Sequence, residues 1–221
     1  MTDEYGPVIK SGGMELRGDF SHMIPRLRSS ALRGELLVKA SGVSNLIGDS
    51  RFLSDEDGDK RPLLIDATAG LGEDSLILAA AGFRVKLFEK DPVIGALLED
   101  AIEKARGYGN DLEPVRIAAS RMDFLREDSI PGMKRFPNPD VVLLDPMFPE
   151  KKKKSLAKKK MQLLQHYEKP CEDEEALLEA ALSLRPGRII IKRPPKGPFL
   201  AGYKPTYSLT GKILRIDCII P

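Results

Sequence analysis

Residues 63–74 read LLIDATAGLGED, an apolar run that ends in an aspartate and passes into a turn containing Gly70 and Gly72. The run predicts a buried strand over Leu63–Asp66, and the residues after the turn predict a helix over Ser75–Ala81. The two glycines let a ligand approach the backbone where the first strand of a doubly wound sheet meets its helix. This stretch therefore predicts an α/β fold with a ligand site at the first strand-to-helix turn.

The chain continues to alternate between short apolar strands and amphipathic helices. Further strands are predicted at Val85–Glu89, Val115–Ala119, Val141–Leu144 and Arg188–Lys192, and further helices at Pro92–Arg106 and Glu172–Arg185. Apolar strands separated by helices predict a parallel sheet that is covered on both faces. Two last β-like runs, Tyr203–Leu209 and Ile213–Ile220, predict an antiparallel hairpin at the C-terminal end.

The N-terminal part of the chain has a different character. Residues 1–60 show weak periodicity, with a short amphipathic helix predicted at Arg33–Ala40 and an acidic linker at residues 55–59. We therefore divide the chain into an N-terminal extension, residues 1–60, and one α/β domain, residues 61–221.

Composition disfavours several classes of function. The cysteines Cys171 and Cys218 and the histidines His22 and His166 lack the spacing of a disulfide framework, a zinc site or a hydrolase triad, so we expect no metal. No apolar run reaches about 18 residues, and the first residues lack a secretory pattern. We therefore expect a soluble, cytoplasmic protein without membrane contact. The net charge of +2 does not by itself identify a nucleic-acid binder.

Acidic residues at the ends of the first two strands suit an adenosine ligand. Glu89 ends the second strand, where acidic side chains accept hydrogen bonds from ribose hydroxyls. Ser75 stands where dinucleotide folds have their third glycine, so a ligand without a diphosphate is favoured and a nicotinamide-dependent oxidoreductase is disfavoured. Asp66 is placed to hold a ligand ammonium, and Asp74 either contacts the same group or caps the helix. Alternatively, the glycines only make a tight turn and Glu89 caps the next helix.

Two residues after the third predicted strand complete this set. Ser120 and Arg121 occupy the position at which side chains lie beside an adenine, so we place them there by position alone.

The fourth strand leads directly into Asp145-Pro146-Met147-Phe148-Pro149. An exocyclic amino nitrogen of guanine or adenine is a poor nucleophile, because its lone pair is delocalised into the ring. The Asp145 carboxylate and the Pro146 carbonyl can accept its two hydrogens, while Phe148 offers a face on which the base stacks. The pentapeptide therefore predicts a site for methylation of an amino group. Alternatively, it is only a rigid loop that leaves a buried strand.

A lysine-rich run follows this pentapeptide. Its members are Lys151, Lys152, Lys153, Lys154, Lys158, Lys159 and Lys160. Charge runs are often simply solvated surface, but this one adjoins the predicted acceptor site, where lysines neutralise the phosphates beside a target base. We therefore predict contact with RNA.

Together these motifs resemble the ribosomal RNA small subunit methyltransferase J family, which methylates an exocyclic amino group of guanine. The segments that carry the resemblance are Asp66–Asp74, Leu87–Val93, Leu144–Pro149, Lys154–Met161 and Ile191–Pro194, and the match runs from about Arg33 to the C-terminus. The resemblance implies S-adenosylmethionine as cofactor, with contacts at Glu73, Asp74, Glu89, Lys90, Ser120, Arg121 and Asp145.

Fold and function expectations follow from the motifs and the resemblance together. We expect a Rossmann-like class I methyltransferase fold, with a mostly parallel seven-stranded sheet, helices on both faces and an antiparallel C-terminal hairpin. The expected reaction methylates N2 of a guanine in small-subunit (16S) ribosomal RNA, with the RNA or the small ribosomal subunit as partner. The alternatives are an amino-group methyltransferase acting on DNA or a protein amide, and a catalytically idle RNA-binding protein.

Overall fold

The computed structural model describes residues 2–11, 14–43, 61–146 and 173–221. The strands in this part of the chain are β1 (Thr2–Asp3), β2 (Gly6–Pro7), β3 (Ile9–Ser11), β4 (Met14–Leu16), β5 (Leu63–Asp66), β6 (Arg84–Phe88), β7 (Met122–Leu125), β8 (Val141–Leu144), β9 (Arg188–Arg193), β10 (Tyr207–Thr210) and β11 (Arg215–Ile219). The α-helices are α1 (Ile24–Leu27), α2 (Ser29–Gly34), α3 (Leu36–Ser41), α4 (Glu73–Ala80), α5 (Pro92–Arg106), α6 (Glu113–Ala119), α7 (Ser129–Gly132) and α8 (Glu174–Ser183). Short 3-10 helices lie at Ser21–Met23, Asn110–Leu112, Met133–Arg135 and Leu200–Gly202.

Seven strands form the central sheet, in the order β10-β11-β9-β8-β5-β6-β7. The pairs from β9 to β7 are parallel, whereas β11 runs antiparallel to both β9 and β10. The expected mostly parallel seven-stranded sheet with an antiparallel C-terminal hairpin is therefore confirmed. Two small hairpins, β1-β2 and β3-β4, lie outside this sheet.

Alternating side chains of the central strands pack into two hydrophobic cores, one on each face of the sheet. Leu64, Val141, Leu143 and Ile190 belong to the core shared with α4, α5 and α6. Ile65, Val142, Leu144, Ile189 and Ile191 belong to the core shared with α8. All four residues of β8 are buried. A strand buried on both faces requires a continuous apolar run, which is why β8 reads as VVLL.

Several predicted elements have the expected bounds. The strand Leu63–Asp66, the helix Pro92–Arg106 and the strand Val141–Leu144 are observed as predicted. Pro92 lies in the first turn of α5, and the Asp91 side chain accepts hydrogen bonds from the backbone N–H groups of Val93 and Ile94. Caps of this kind make a helix start readable from sequence.

The prediction of a strand at Val115–Ala119 was wrong. These residues form most of α6, with Pro114 in its first turn and Val115, Ala118 and Ala119 buried on one face. Burial at i, i+3 and i+4 is the helical spacing, so packing of one helix face outweighed the β preference of valine and isoleucine. The third parallel strand is β7 instead, and it begins at Met122.

The segment before β5 packs against the sheet domain. The predicted helix at Arg33–Ala40 is two helices, because the extended backbone of Glu35 (ψ 129°) separates α2 from α3. Phe20, Leu32 and Val38 are buried in the same core as α4. No helix within residues 2–11, 14–43, 61–146 and 173–221 is both long and apolar enough to cross a membrane.

Candidate active site

The carboxyl ends of neighbouring strands bring the candidate side chains to one edge of the sheet. Asp66 is the last residue of β5, Glu89 follows β6 and Asp145 follows β8. Lys192 is the penultimate residue of β9. Because β5 pairs with both β6 and β8, the loops after these strands are neighbours. Ligands bind at this edge in open α/β sheets.

Asp66 anchors the turn after β5. The residue is 2% exposed. One carboxylate oxygen accepts a hydrogen bond from the Thr68 N–H (3.1 Å), and the other accepts one from the Ser75 hydroxyl (2.6 Å). Burial raises the pKa of Asp66 to about 7, although these two hydrogen bonds oppose the rise. The first role of Asp66 is therefore to hold the turn against the start of α4.

The turn itself depends on glycine and on Glu89. Gly70 and Gly72 have φ of 52° and 77°, in the left-handed region that favours glycine. The Gly70 N–H donates to Glu89 Oε2 (3.0 Å), and the Asp91 N–H donates to Glu89 Oε1 (2.8 Å). Burial raises the pKa of Glu89. Since each carboxylate oxygen has two lone pairs, Glu89 keeps capacity to accept from ribose hydroxyls.

A hydrogen bond joins the turn to the acceptor motif. The backbone N–H of Asp145 donates to the Thr68 hydroxyl oxygen at 2.6 Å. Thr68 lies between Asp66 and Gly70 in the turn after β5, and Asp145 begins the loop after β8. The two loops are thus fixed to each other at the same sheet edge.

Lys192 links two carboxylates across this edge. Its ammonium lies 2.6 Å from Asp145 Oδ2 and also forms an ion pair with Asp74 in the first turn of α4. Burial raises the pKa of Asp145, and the charge of Lys192 acts in the opposite direction. Burial disfavours the charged form of Lys192, but the Asp74 and Asp145 carboxylates raise its pKa overall. The lysine is therefore held as a cation between the two loops.

This donor set fits S-adenosylmethionine. The carboxylates of Asp66, Asp74, Glu89 and Asp145 gather around the glycine turn, where the ligand has ribose hydroxyls, an ammonium and a positive sulfonium. Carboxylates accept hydrogen bonds from such donors and attract positive charge. A β-carbon at Gly72 would lie 2.5 Å from Leu98 Cδ1, so close packing of this buried turn against α5 requires glycine.

A cleft of about 370 Å³ opens beside the ion pair. It is lined by Lys192 and Asp74, together with Arg26, Glu35 and Leu36 from the segment α1 to α3 and Lys212 and Leu214 from the turn before β11. Arg26 and Glu35 are themselves paired, with Arg26 Nε 2.9 Å from Glu35 Oε1. The cleft is therefore lined in part by the lysine that contacts Asp145.

The remaining predicted contacts have different positions. Glu73 begins α4 at the same edge and lies 3.3 Å from His22 Nε2. Lys90 is exposed and lies 3.4 Å from Asp128. Pro146 is buried directly after Asp145.

Ser120 and Arg121 do not lie at the carboxyl edge. They precede β7, because the predicted strand before them is helix α6, and the Arg121 carbonyl accepts from the N–H of Val85 near the start of β6. The Arg121 guanidinium donates to the carbonyl of Ala79. The two residues thus lie at the amino end of the strands, and their expected position beside an adenine is corrected. Arg126 and Glu127 are the residues that follow β7.

Phe148 and the lysines at positions 151–154 and 158–160 lie outside the described residues. Their predicted contacts with a base and with phosphates stay predictions.

Three contributors to the edge were missed from the sequence as site residues: Thr68, Ser75 and Lys192. Ser75 was read only as a missing glycine, although its hydroxyl fixes Asp66. The sequence signal for Lys192 was its place near the end of an apolar strand, where a charged side chain interrupts the run RIIIKR.

Comparisons with known proteins identify the family of this chain. The SAM_MT family model, which describes SAM-dependent methyltransferases, matches residues 14–221. The ribosomal RNA small subunit methyltransferase J of Pseudomonas fluorescens is 40% identical over 186 residues, which are 83% of this chain and 65% of that protein. The protein of the same name from Pseudomonas aeruginosa is 42% identical with the same coverage. The chain thus spans slightly less than two thirds of the length of these curated relatives.

A solved structure supports the same assignment. The crystal structure of a SAM-dependent methyltransferase from Neisseria gonorrhoeae matches with a TM-score of 0.70 and 30% identity, and the match covers 97% of this chain and 78% of that one. The resemblance found in the sequence motifs is confirmed by these relatives. By its family match, its fold and the carboxylate-lined turn at its sheet edge, this chain belongs to the SAM-dependent methyltransferase family, whose cofactor is S-adenosylmethionine.

Proposed function

We propose that this protein methylates the exocyclic amino group, N2, of a guanine in small-subunit ribosomal RNA. The observation that carries the proposal is the 2.6 Å hydrogen bond between the Asp145 N–H and the Thr68 hydroxyl, since it joins the cofactor turn to the acceptor motif. The names of the Pseudomonas relatives support the RNA substrate. Bound S-adenosylmethionine supplies the electrophilic methyl group.

The chain contributes orientation of the amino group. The Asp145 carboxylate and the Pro146 carbonyl accept hydrogen bonds from its two N–H groups, and Phe148 stacks on the base. Correct positioning lowers the activation free energy by up to about 7–11 kcal/mol. A general base raises the rate by about 10²–10⁴-fold. Positioning by Asp145 and Pro146 therefore supplies the larger part of the catalysis, and the proton that the methylated nitrogen must lose passes to solvent rather than to a dedicated base.

The turn after β5 holds the cofactor in this proposal. Glu89 accepts from the ribose hydroxyls, the Gly70 and Gly72 backbone lies against the ligand, and Asp66 and Asp74 attract its positive charge. Glu73 and Lys90 border the same site. The carboxylates stabilise a cationic cofactor more than its neutral product, so the site favours release after transfer.

RNA recognition is assigned to cationic side chains. Lys151–Lys154 and Lys158–Lys160 contact the phosphates that flank the target nucleotide. The cleft is lined by Lys192, which contacts Asp145, and we assign the approach of the target base to this side of the acceptor motif. Binding through phosphates predicts strong weakening by added salt.

The direct test is incubation of the protein with radiolabelled S-adenosylmethionine and small-subunit ribosomal RNA that lacks the modification. We expect label in the RNA, undiminished by excess duplex DNA. Label that appears in DNA or protein instead would contradict the substrate. Calorimetric titration with S-adenosylmethionine runs in parallel, because a chain that binds RNA but not the cofactor is an idle scaffold.

A further inference from the structure

Lys192 contacts both halves of the proposed site with its side chain. Its ammonium bonds Asp74, in the first turn of the helix after the cofactor turn, and Asp145, in the acceptor motif. The Lys192 side chain is 22% exposed and those of Asp74 and Asp145 are 25% and 38% exposed, so both contacts are partly shielded from water. Charge pairs in such surroundings are stronger than pairs on an open surface.

We infer that Lys192 is a positioning residue for methyl transfer, which holds the Asp145 carboxylate ionised and in the orientation that accepts the guanine amino group. The inference rests on the proposed function. Lys192 contacts Asp145 through Oδ2, so Oδ1 is the oxygen directed to the substrate. The Thr68 bond fixes the backbone of Asp145, and the Lys192 bond fixes its side chain.

The surrounding charges explain why a cation is needed here. Asp145 faces Lys192 and Arg193 of β9, Asp74 of α4 and Asp66 at the end of β5. Without Lys192, the Asp74 and Asp145 carboxylates lie near each other in a partly buried site, and like charges favour protonation of one of them. A protonated Asp145 accepts hydrogen bonds weakly and loses its fixed orientation.

Substitution of Lys192 tests this role through the pH dependence of turnover. In Lys192→Met, kcat falls by about 10²-fold with saturating cofactor and RNA. The acidic limb of the kcat profile moves to higher pH by about one unit or more, because an opposite charge within hydrogen-bond distance lowers a carboxyl pKa by about that amount. Lys192→Arg keeps the charge and returns the limb toward its wild-type position.

A matched control separates this role from a general effect of losing a strand lysine. Lys86 in β6 also pairs with a carboxylate, at 2.7 Å from Asp123, but lies outside the proposed site. Lys86→Met is expected to keep the wild-type kcat profile. Circular dichroism verifies that each variant is folded. If Lys192→Met does not fold, Lys192→Gln replaces it, because glutamine keeps hydrogen-bond donors without the charge.

Each outcome decides the inference. It is overturned if the neutral variants keep the wild-type kcat and acidic limb, if Lys192→Arg shifts the limb as far as Lys192→Met, or if only the affinity for S-adenosylmethionine changes. These results leave the proposed function intact, since wild-type protein still methylates RNA. A wild-type protein that transfers no methyl group to RNA overturns the proposed function and this inference with it.

Discussion

Asp66 illustrates, at the scale of a single residue, how burial sets charge at the ligand edge. The side chain ends β5 in a nearly solvent-free position, yet it accepts two hydrogen bonds, from Thr68 and Ser75. The effect of desolvation on the pKa is larger than that of the hydrogen bonds, so the pKa of Asp66 rises to about 7. The carboxyl is therefore partly protonated near neutral pH when no cation lies beside it.

This shift predicts a pH-dependent stability difference in the cofactor-free protein. The folded chain binds the Asp66 proton up to about pH 7, whereas the unfolded chain releases it near the ordinary aspartate pKa of 3.8. Between these values the folded state binds more protons, so the free energy of unfolding falls as pH rises. Asp66→Asn has no such titration. Urea unfolding of both proteins from pH 4 to 8 should show wild-type stability declining relative to the variant, and a constant difference would contradict the assignment.

Residue roles could be predicted where a motif is local, and not where the partner is distant in sequence. Gly70, Glu89 and Asp145 were identified as candidates because each lies at or just after the carboxyl end of a predicted strand. Lys192 was not assigned, because its contacts with Asp145 and Asp74 span 47 and 118 residues. Such pairs depend on strand order, which no local pattern contains.

At the scale of elements, the turn between β5 and α4 requires glycine at position 72 for two reasons, its backbone conformation and its packing. Gly72 has a φ of 77°, and a β-carbon there would lie 2.5 Å from Leu98 Cδ1 and 3.3 Å from Phe20 Cζ. A non-glycine residue pays about 1–2 kcal/mol for the left-handed conformation alone. The turn is therefore both strained and crowded for any side chain.

We expect Gly72→Ala to lower the free energy of unfolding by more than about 1–2 kcal/mol and to weaken cofactor binding. Gly34→Ala is the matched control, since nothing lies within 4 Å of a β-carbon at that position. Its stability should stay within about 1 kcal/mol of wild type. Urea unfolding and calorimetric titration measure both effects; equal behaviour of the two variants would refute the packing argument.

Helices and strands were predicted correctly where several sequence signals indicate the same element. For α5, Pro92, the Asp91 cap and apolar periodicity all indicate the same helix. For residues 115–119, the sequence predicted a strand, but packing of one apolar face produced a helix with Pro114 in its first turn. That error also displaced the expected positions of Ser120 and Arg121.

At the scale of the whole molecule, the segment before β5 shares the core of the sheet domain. Phe20 is 1% exposed and packs in the cluster that includes Leu64, Leu76 and Val141. Its ring also lies beneath the Gly72 turn. Packing of this segment therefore supports the cofactor turn from below.

Phe20→Ala is expected to lower the free energy of unfolding by about 3–5 kcal/mol, as for other large-to-small core substitutions. Ile213→Ala removes an apolar side chain that is 84% exposed, so its effect should stay within about 0.5 kcal/mol. Denaturant unfolding compares the two. A Phe20 variant as stable as the Ile213 variant would show that the N-terminal segment is not part of the core.

The central claim is that the loops after β5 and β8 act together, one on the cofactor and the other on a guanine amino group. Mass spectrometry of nucleosides from small-subunit RNA, incubated with S-adenosylmethionine and either wild-type protein or Asp145→Ala, tests it most directly. We predict N2-methylguanosine with wild type and a loss of at least about 10²-fold with the variant, which still binds the cofactor. The absence of N2-methylguanosine with wild type, or an equal yield from both proteins, would contradict the account.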